Sequence, residues 1–134
     1  MRIGCTGHRA SDADRAENNR RASEVARLMT DAGLIVIAAF VSPFRADRET
    51  ARSLFDEGEF IEVFVDLPAE VAAERDTTGL YAKAGTPGVL NLTGVDSTYE
   101  DPEEPEIHLD MTKLDVEAAA DRIAAVLSER SLLS

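Results

Sequence analysis

The sequence predicts an α/β domain in which helices connect the strands of a parallel sheet. Three observations carry that expectation. The run Leu34-Ile35-Val36-Ile37-Ala38-Ala39-Phe40 is apolar throughout, with no alternating polar face, as befits a strand covered on both sides. Ser42-Pro43 follows it at once, a cap and a first-turn proline that open a helix. A second apolar run, Phe60 to Val65, returns after that helix, and strand–helix–strand order calls for a right-handed crossover between parallel strands.

Each element has its own local signal. Ser11 followed by Asp14 resembles a capping box, and Ala22, Val25, Ala26, Met29 and Ala32 recur at helical spacing, so a helix is expected over 12–31 with Gly33 as its stop. The strand 34–40 comes next and is the strongest strand in the chain. The Ser42-Pro43 helix should run to about Phe55 and end near Gly58. After the strand 60–65, Asp66 is expected to cap a third helix over 68–75 that starts with Pro68. Residues 76–106 hold four of the eight glycines and three of the five prolines, so most of this stretch is loop, in the manner of a lid. Ile107-His108-Leu109 fits a short strand, and Asp115 caps a last amphipathic helix through Ile123, Val126 and Leu127.

Length and charge bound the function. A chain of 134 residues with 44% hydrophobic content is sized for one domain, 1–134. It has no apolar stretch of about 18 residues and no signal-peptide pattern at its start, so no membrane association and a cytoplasmic location are expected. Cys5 has no second cysteine to pair with, and His8 and His108 are too far apart for a zinc knuckle, so no structural metal is expected. The net charge of −12 argues against nucleic acid as a partner. Residues 1–52 nevertheless carry nine arginines against seven acids, while 53–134 carry five basic groups against nineteen acids. A small anion belongs with the first third.

Ser42, Arg45 and Arg48 lie at a strand-to-helix junction, where α/β proteins collect ligands and helix N-termini attract anions. Two readings stand side by side: an anion site, or a plain N-cap with solvated arginines. Arg15, Arg20 and Arg21 near the start of the first helix read as an ordinary polar face rather than as a second basic group. Asp66 fits a helix cap better than a group holding a magnesium-bound water. Lys83 could reach a phosphate as a point charge, and His108 reads as a packed or edge-strand histidine.

Longer segments go further. Ser11-Asp12-Ala13-Asp14-Arg15-x-Glu17-Asn18-x-Arg20-Arg21, Phe40-Val41-Ser42-Pro43-Phe44-Arg45-Ala46-Asp47-Arg48 and Gly58-Glu59-Phe60-Ile61-Glu62-Val63-Phe64-Val65-Asp66 resemble the adenylyl-sulfate kinase family. So do Arg75-Asp76-x-x-Gly79-Leu80-Tyr81-x-Lys83-Ala84 and Thr93-Gly94-Val95-Asp96-x-x-Tyr99-Glu100-x-Pro102, in the family's order. The resemblance implies a three-layer αβα domain of the P-loop nucleoside-kinase type. It implies transfer of the γ-phosphate of ATP, with Mg2+, to the 3′-hydroxyl of adenylyl sulfate in sulfate assimilation, yielding 3′-phosphoadenylyl sulfate. It also implies that Arg15 and Asn18 hold adenylyl sulfate, that Val41 and Ser42 line the same pocket beside Arg45, and that Lys83 belongs to a lid. Ser42 stands at the family's phosphoserine position, where a covalent intermediate and direct in-line transfer are both open. A homodimer is the family's common assembly.

The sequence also departs from the family. No Gly-x-x-Gly-x-Gly-Lys-Ser/Thr loop and no Asp-Gly-Asp-Asn strand end occurs in residues 1–134, and Gly4-Cys5-Thr6-Gly7 has the wrong spacing to replace them. Ala10 and Leu92 stand where the family has stacking phenylalanines, and Gly85 where it has arginine. The expected domain is therefore truncated at its N-terminus, and turnover by this polypeptide is in question. The alternatives are a non-catalytic adenylyl-sulfate-binding or kinase-pairing module, and a fragment or mis-started reading frame.

Overall fold

The structure, a computed structural model, describes residues 11–76, 79, 98–130 and 132. Their elements are α1 (Asp12–Asp31), α2 (Arg45–Arg52), β1 (Val63–Asp66), α3 (Ala69–Glu74), β2 (Ile107–Asp110) and α4 (Val116–Glu129). Cys5, Ala10, Lys83, Gly85 and Leu92 lie outside the described residues.

α1 begins and ends where its sequence says. Ser11 Oγ accepts from the Asp14 N–H at 3.2 Å, and the Ser11 N–H donates back to Asp14 Oδ2 at 2.9 Å. Such reciprocal capping stabilises a helix by about 1 kcal/mol. At the other end the Gly33 N–H donates to Thr30 O and the Leu34 N–H to Met29 O, with Gly33 at φ 81°. That pair of bonds is a Schellman motif, and its left-handed residue favours glycine.

β1 and β2 are parallel, as expected, with Val63 opposite Ile107 and Asp66 opposite Asp110. The Ile107 N–H donates to Glu62 O and the Met111 N–H to Asp66 O, which extends the ladder past both ends. Alternation puts Ile107 and Leu109 on one face, where they are buried with Met111 and Ala119. Leu109 is only 2% exposed. α4 covers this face through Ala119, Ile123 and Val126, and Asp115 caps it by accepting from the Ala118 N–H at 2.8 Å. Each fully buried Leu or Ile contributes about 1.5 to 3 kcal/mol.

Three local expectations are corrected. The run 34–40 forms no strand, and Leu34, Ile35, Ile37 and Phe40 are exposed, Ile37 by 87%. A strand is made by the neighbour it hydrogen-bonds to, and among the described residues the sheet holds only β1 and β2. The run has a central strand's composition without flanking strands.

Ser42 is not the cap of α2. The N-cap is Phe44, with no side-chain cap, and the Arg45 N–H is instead satisfied by Glu100 Oε2 at 2.8 Å. The helix also stops at Arg52, short of Phe55. Nor does Asp66 cap α3, whose N-cap is Pro68. Asp66 ends β1, and its Oδ2 lies 2.8 Å from His108 Nε2, two residue pairs back along the ladder. His108, an exposed residue of β2, also stacks on Phe64 with ring centres 5.0 Å apart.

Candidate functional site

The site is built where the loop after residue 40 turns into α2. Ser42 has φ 38°, the one non-glycine residue with positive φ among those described. An L-residue in that region is strained by about 1 to 2 kcal/mol and persists only when its surroundings fix it. Here they do. The Ser42 carbonyl accepts from Arg48 Nη1 at 2.7 Å, its hydroxyl accepts from Asn19 Nδ2 at 2.9 Å, and the next residue, Pro43, is fully buried.

Arg48 is the centre of that support. Its side chain is 11% exposed; Nη2 donates to Glu100 O at 2.6 Å, and Nε makes an ion pair with Glu62 Oε1 at 2.8 Å. Its guanidinium carbon also sits 5.6 Å from the centre of the Tyr99 ring, which stacks on Phe64. Burial pushes the Tyr99 phenol above its ordinary value, against the opposing pull of Arg48. One turn on, Arg52 binds Glu106 through two bonds and reaches Glu62 at 3.2 Å, while the Glu62 N–H donates to Glu106 Oε2 at 2.7 Å. Arginine forks suit this use, since one planar group satisfies two oxygens.

Of the residues singled out in the sequence, the structure brings Ser42 against α1. Arg15, Asn18, Asn19 and Ala22 fall three and four residues apart, so they share or adjoin the helix face that meets Ser42. Asn19 and Ala22 are the buried residues of α1, and Arg15 is part-buried, 3.9 Å from Asp12. Arg20 and Arg21 lie on the outer face, both paired with Glu17, whose carboxyl Arg20 and then Arg21 hold down at about 2. Val41 is exposed. Arg45 is turned to the segment 98–103: Nε donates to Asp101 O and Nη1 to Glu103 Oε1.

Asn19 and Glu100 are the residues that sequence reasoning missed. Asn19 carried a usable signal, an amide on the otherwise apolar stripe of α1, since a buried amide needs a partner. Glu100 stood out only within its family motif, and its bond to Arg45, 55 positions away, had no local signal.

The comparisons with known proteins bear on this geometry. The sequence matches adenylylsulphate kinase over residues 5–110. The chain belongs to the adenylylsulphate kinase family. It is 56% identical over 122 residues to an adenylyl-sulfate kinase of Aeromonas hydrophila, covering 91% of this chain and 62% of that protein. It is 52% identical over 122 residues to the bifunctional enzyme NodQ of Azospirillum brasilense, covering 91% of this chain and 20% of that one. The structure of the Mycobacterium tuberculosis APS kinase CysC in complex with AMPPNP and APS superposes with a TM-score of 0.80 at 38% identity, covering 88% of this chain and 69% of that one. The expected α/β fold of the P-loop kinase type is therefore the fold of this chain, which spans about three fifths of the Aeromonas kinase.

Proposed function

We propose that this chain carries the adenylyl-sulfate side of an adenylyl-sulfate kinase, the enzyme that moves the γ-phosphate of ATP to the 3′-hydroxyl of adenylyl sulfate. The observation that supports it most is the strained Ser42, held by Asn19 and Arg48 against the Arg15 face of α1. The family relative from Mycobacterium tuberculosis was solved with both APS and an ATP analogue, which supplies the substrate class. Arg15 and Asn18 hold adenylyl sulfate, Val41 and Ser42 line its pocket, and Lys83 is counted among the substrate-binding residues on the family resemblance alone. Arg45 contributes by anchoring the segment that carries Tyr99 and Glu100.

ATP and Mg2+ complete the family's reaction. Among the described residues no group of His, Cys, Asp and Glu could hold a metal ion. The sequence has no Gly-x-x-Gly-x-Gly-Lys-Ser/Thr cradle either, so the described residues do not supply the metal–nucleotide half. That mismatch favours a second reading, a module that binds adenylyl sulfate without turning it over. A homodimer and a cytoplasmic location belong to the proposal. The exposed apolar run 34–41 supports self-association, and no described helix is long and apolar enough to cross a membrane.

Calorimetry with adenylyl sulfate tests the site. Binding by the wild-type chain that weakens about tenfold or more in Arg15→Ala is expected, the loss of one charge-assisted contact. Equal affinities in both proteins would leave the site without its basis.

A further inference from the structure

We propose that Asn19 is a positioning residue that acts through Ser42, aiming the serine hydroxyl proton at an oxygen of the bound nucleotide; this rests on the adenylyl-sulfate reading above. A serine hydroxyl has one proton to give and two lone pairs to receive with. Asn19 Nδ2 donates into one lone pair at 2.9 Å, so the proton cannot point at Asn19. Among the described residues no carboxylate or imidazole accepts that proton. It is free for an anionic or ribose oxygen.

The rest of Ser42 leaves only this torsion to be set. Arg48 fixes its carbonyl, the buried Pro43 fixes the chain behind it, and φ 38° is already committed. Asn19 is itself buried, 8% exposed in the middle of α1, and its backbone carbonyl accepts from Ser23 Oγ at 2.8 Å. A buried amide costs free energy unless its hydrogen bonds are made. The bond Asn19 makes here runs to Ser42, 23 positions away.

The experiment is a double-mutant cycle on the full 134-residue chain: Asn19→Ala, Ser42→Ala and the two combined, each titrated with adenylyl sulfate by calorimetry. Asn19→Ala should weaken binding about tenfold when Ser42 is present and less than about twofold when it is absent, since the effect passes through the hydroxyl. Equal losses in both backgrounds would overturn the proposal. A second measurement needs no ligand and no change at Asn19. The ¹⁵N-resolved side-chain amide protons of Asn19 should shift in Ser42→Ala, and unchanged resonances would overturn the pairing even if Asn19→Ala failed to fold. If the wild-type chain bound no adenylyl sulfate, the functional reading would fall, and the amide resonances would still decide whether Asn19 orients Ser42.

Discussion

Arg52 grips Glu106 with both ends of its guanidinium, Nη1 to Oε1 at 2.6 Å and Nη2 to Oε2 at 2.9 Å, and so ties the last turn of α2 to the entrance of β2. Burial raises the Glu106 carboxyl, but the bonds from Arg52 and from the Glu62 N–H outweigh it and leave its pKa below the ordinary value. The same contact raises the Arg52 guanidinium. A carboxyl lowered in the folded state contributes stability above its unfolded pKa and loses it as the pH falls through the folded one. Urea melts should therefore show stability falling below about pH 4.3, the model-peptide value for glutamate. Glu106→Gln should cost about 1 to 3 kcal/mol at pH 7, as a charge-assisted bond in a part-exposed setting, and should flatten that decline. A Gln variant as stable as wild type at pH 7 would show the clamp to be idle.

The strain at Ser42 makes a separate prediction. Ser42→Ala and Ser42→Gly both delete the hydroxyl, but only glycine visits φ 38° without a Cβ penalty. Ser42→Gly should be the more stable of the two by about 0.5 to 1 kcal/mol, after allowing for glycine's larger unfolded-state entropy. Alanine as the more stable variant in chemical denaturation would mean that the left-handed backbone carries no strain.

What the sequence revealed and what it hid divide along range. α1 was readable to the residue because Ser11, Asp14 and Gly33 act within one turn of the helix they bound, and Asp115 does the same for α4. A parallel sheet was expected between the runs 34–40 and 60–65; it forms instead between β1 and β2, with Val63 opposite Ile107. Ser42 misled because a serine before a proline is a local capping signal, while the actual capping oxygen belongs to Glu100, 55 residues beyond Arg45. Asp66 misled for the same reason: its partner His108 becomes a neighbour only once the two strands are in register. The residues around Ser42 were legible as a group through their family motifs. Asn19, Glu62 and Arg48 acquire their roles only from packing.

The run 34–40 gives the third prediction. Ile37 is 87% exposed, so Ile37→Lys should change stability by less than about 0.5 kcal/mol, as a surface substitution does. Placed in a paired central strand the same change would bury a charge and cost several kcal/mol. The lysine should also reduce self-association in sedimentation velocity, because exposed apolar strand-formers promote edge-to-edge pairing and lysine blocks it. Loss of cooperative unfolding in Ile37→Lys would show that the run is covered in solution.

The last prediction concerns turnover. Phosphoryl transfer asks the protein mainly for positioning and for electrostatic stabilisation of the moving phosphate. In P-loop kinases a glycine-rich loop supplies the backbone N–H donors, its lysine pairs with the β- and γ-phosphates, and its hydroxyl meets magnesium. No such stretch occurs in these 134 residues. Arginines do not replace it. Arg48 and Arg52 are committed to Glu62 and Glu106, and Arg45 to Glu103, so the basic side chains of α2 are already paired within the protein. Loss of a single preorganised donor costs about 10² to 10³ in rate in the oxyanion case. Joint loss of several should bring this polypeptide to background. A coupled assay for ADP release with ATP, Mg2+ and adenylyl sulfate should therefore read at the no-enzyme rate, while calorimetry still detects adenylyl sulfate bound at Ser42. Turnover at about 1 s⁻¹ or faster, the usual kinase range, that disappeared in Ser42→Ala would refute this, and would require a phosphate site built from residues other than the missing loop.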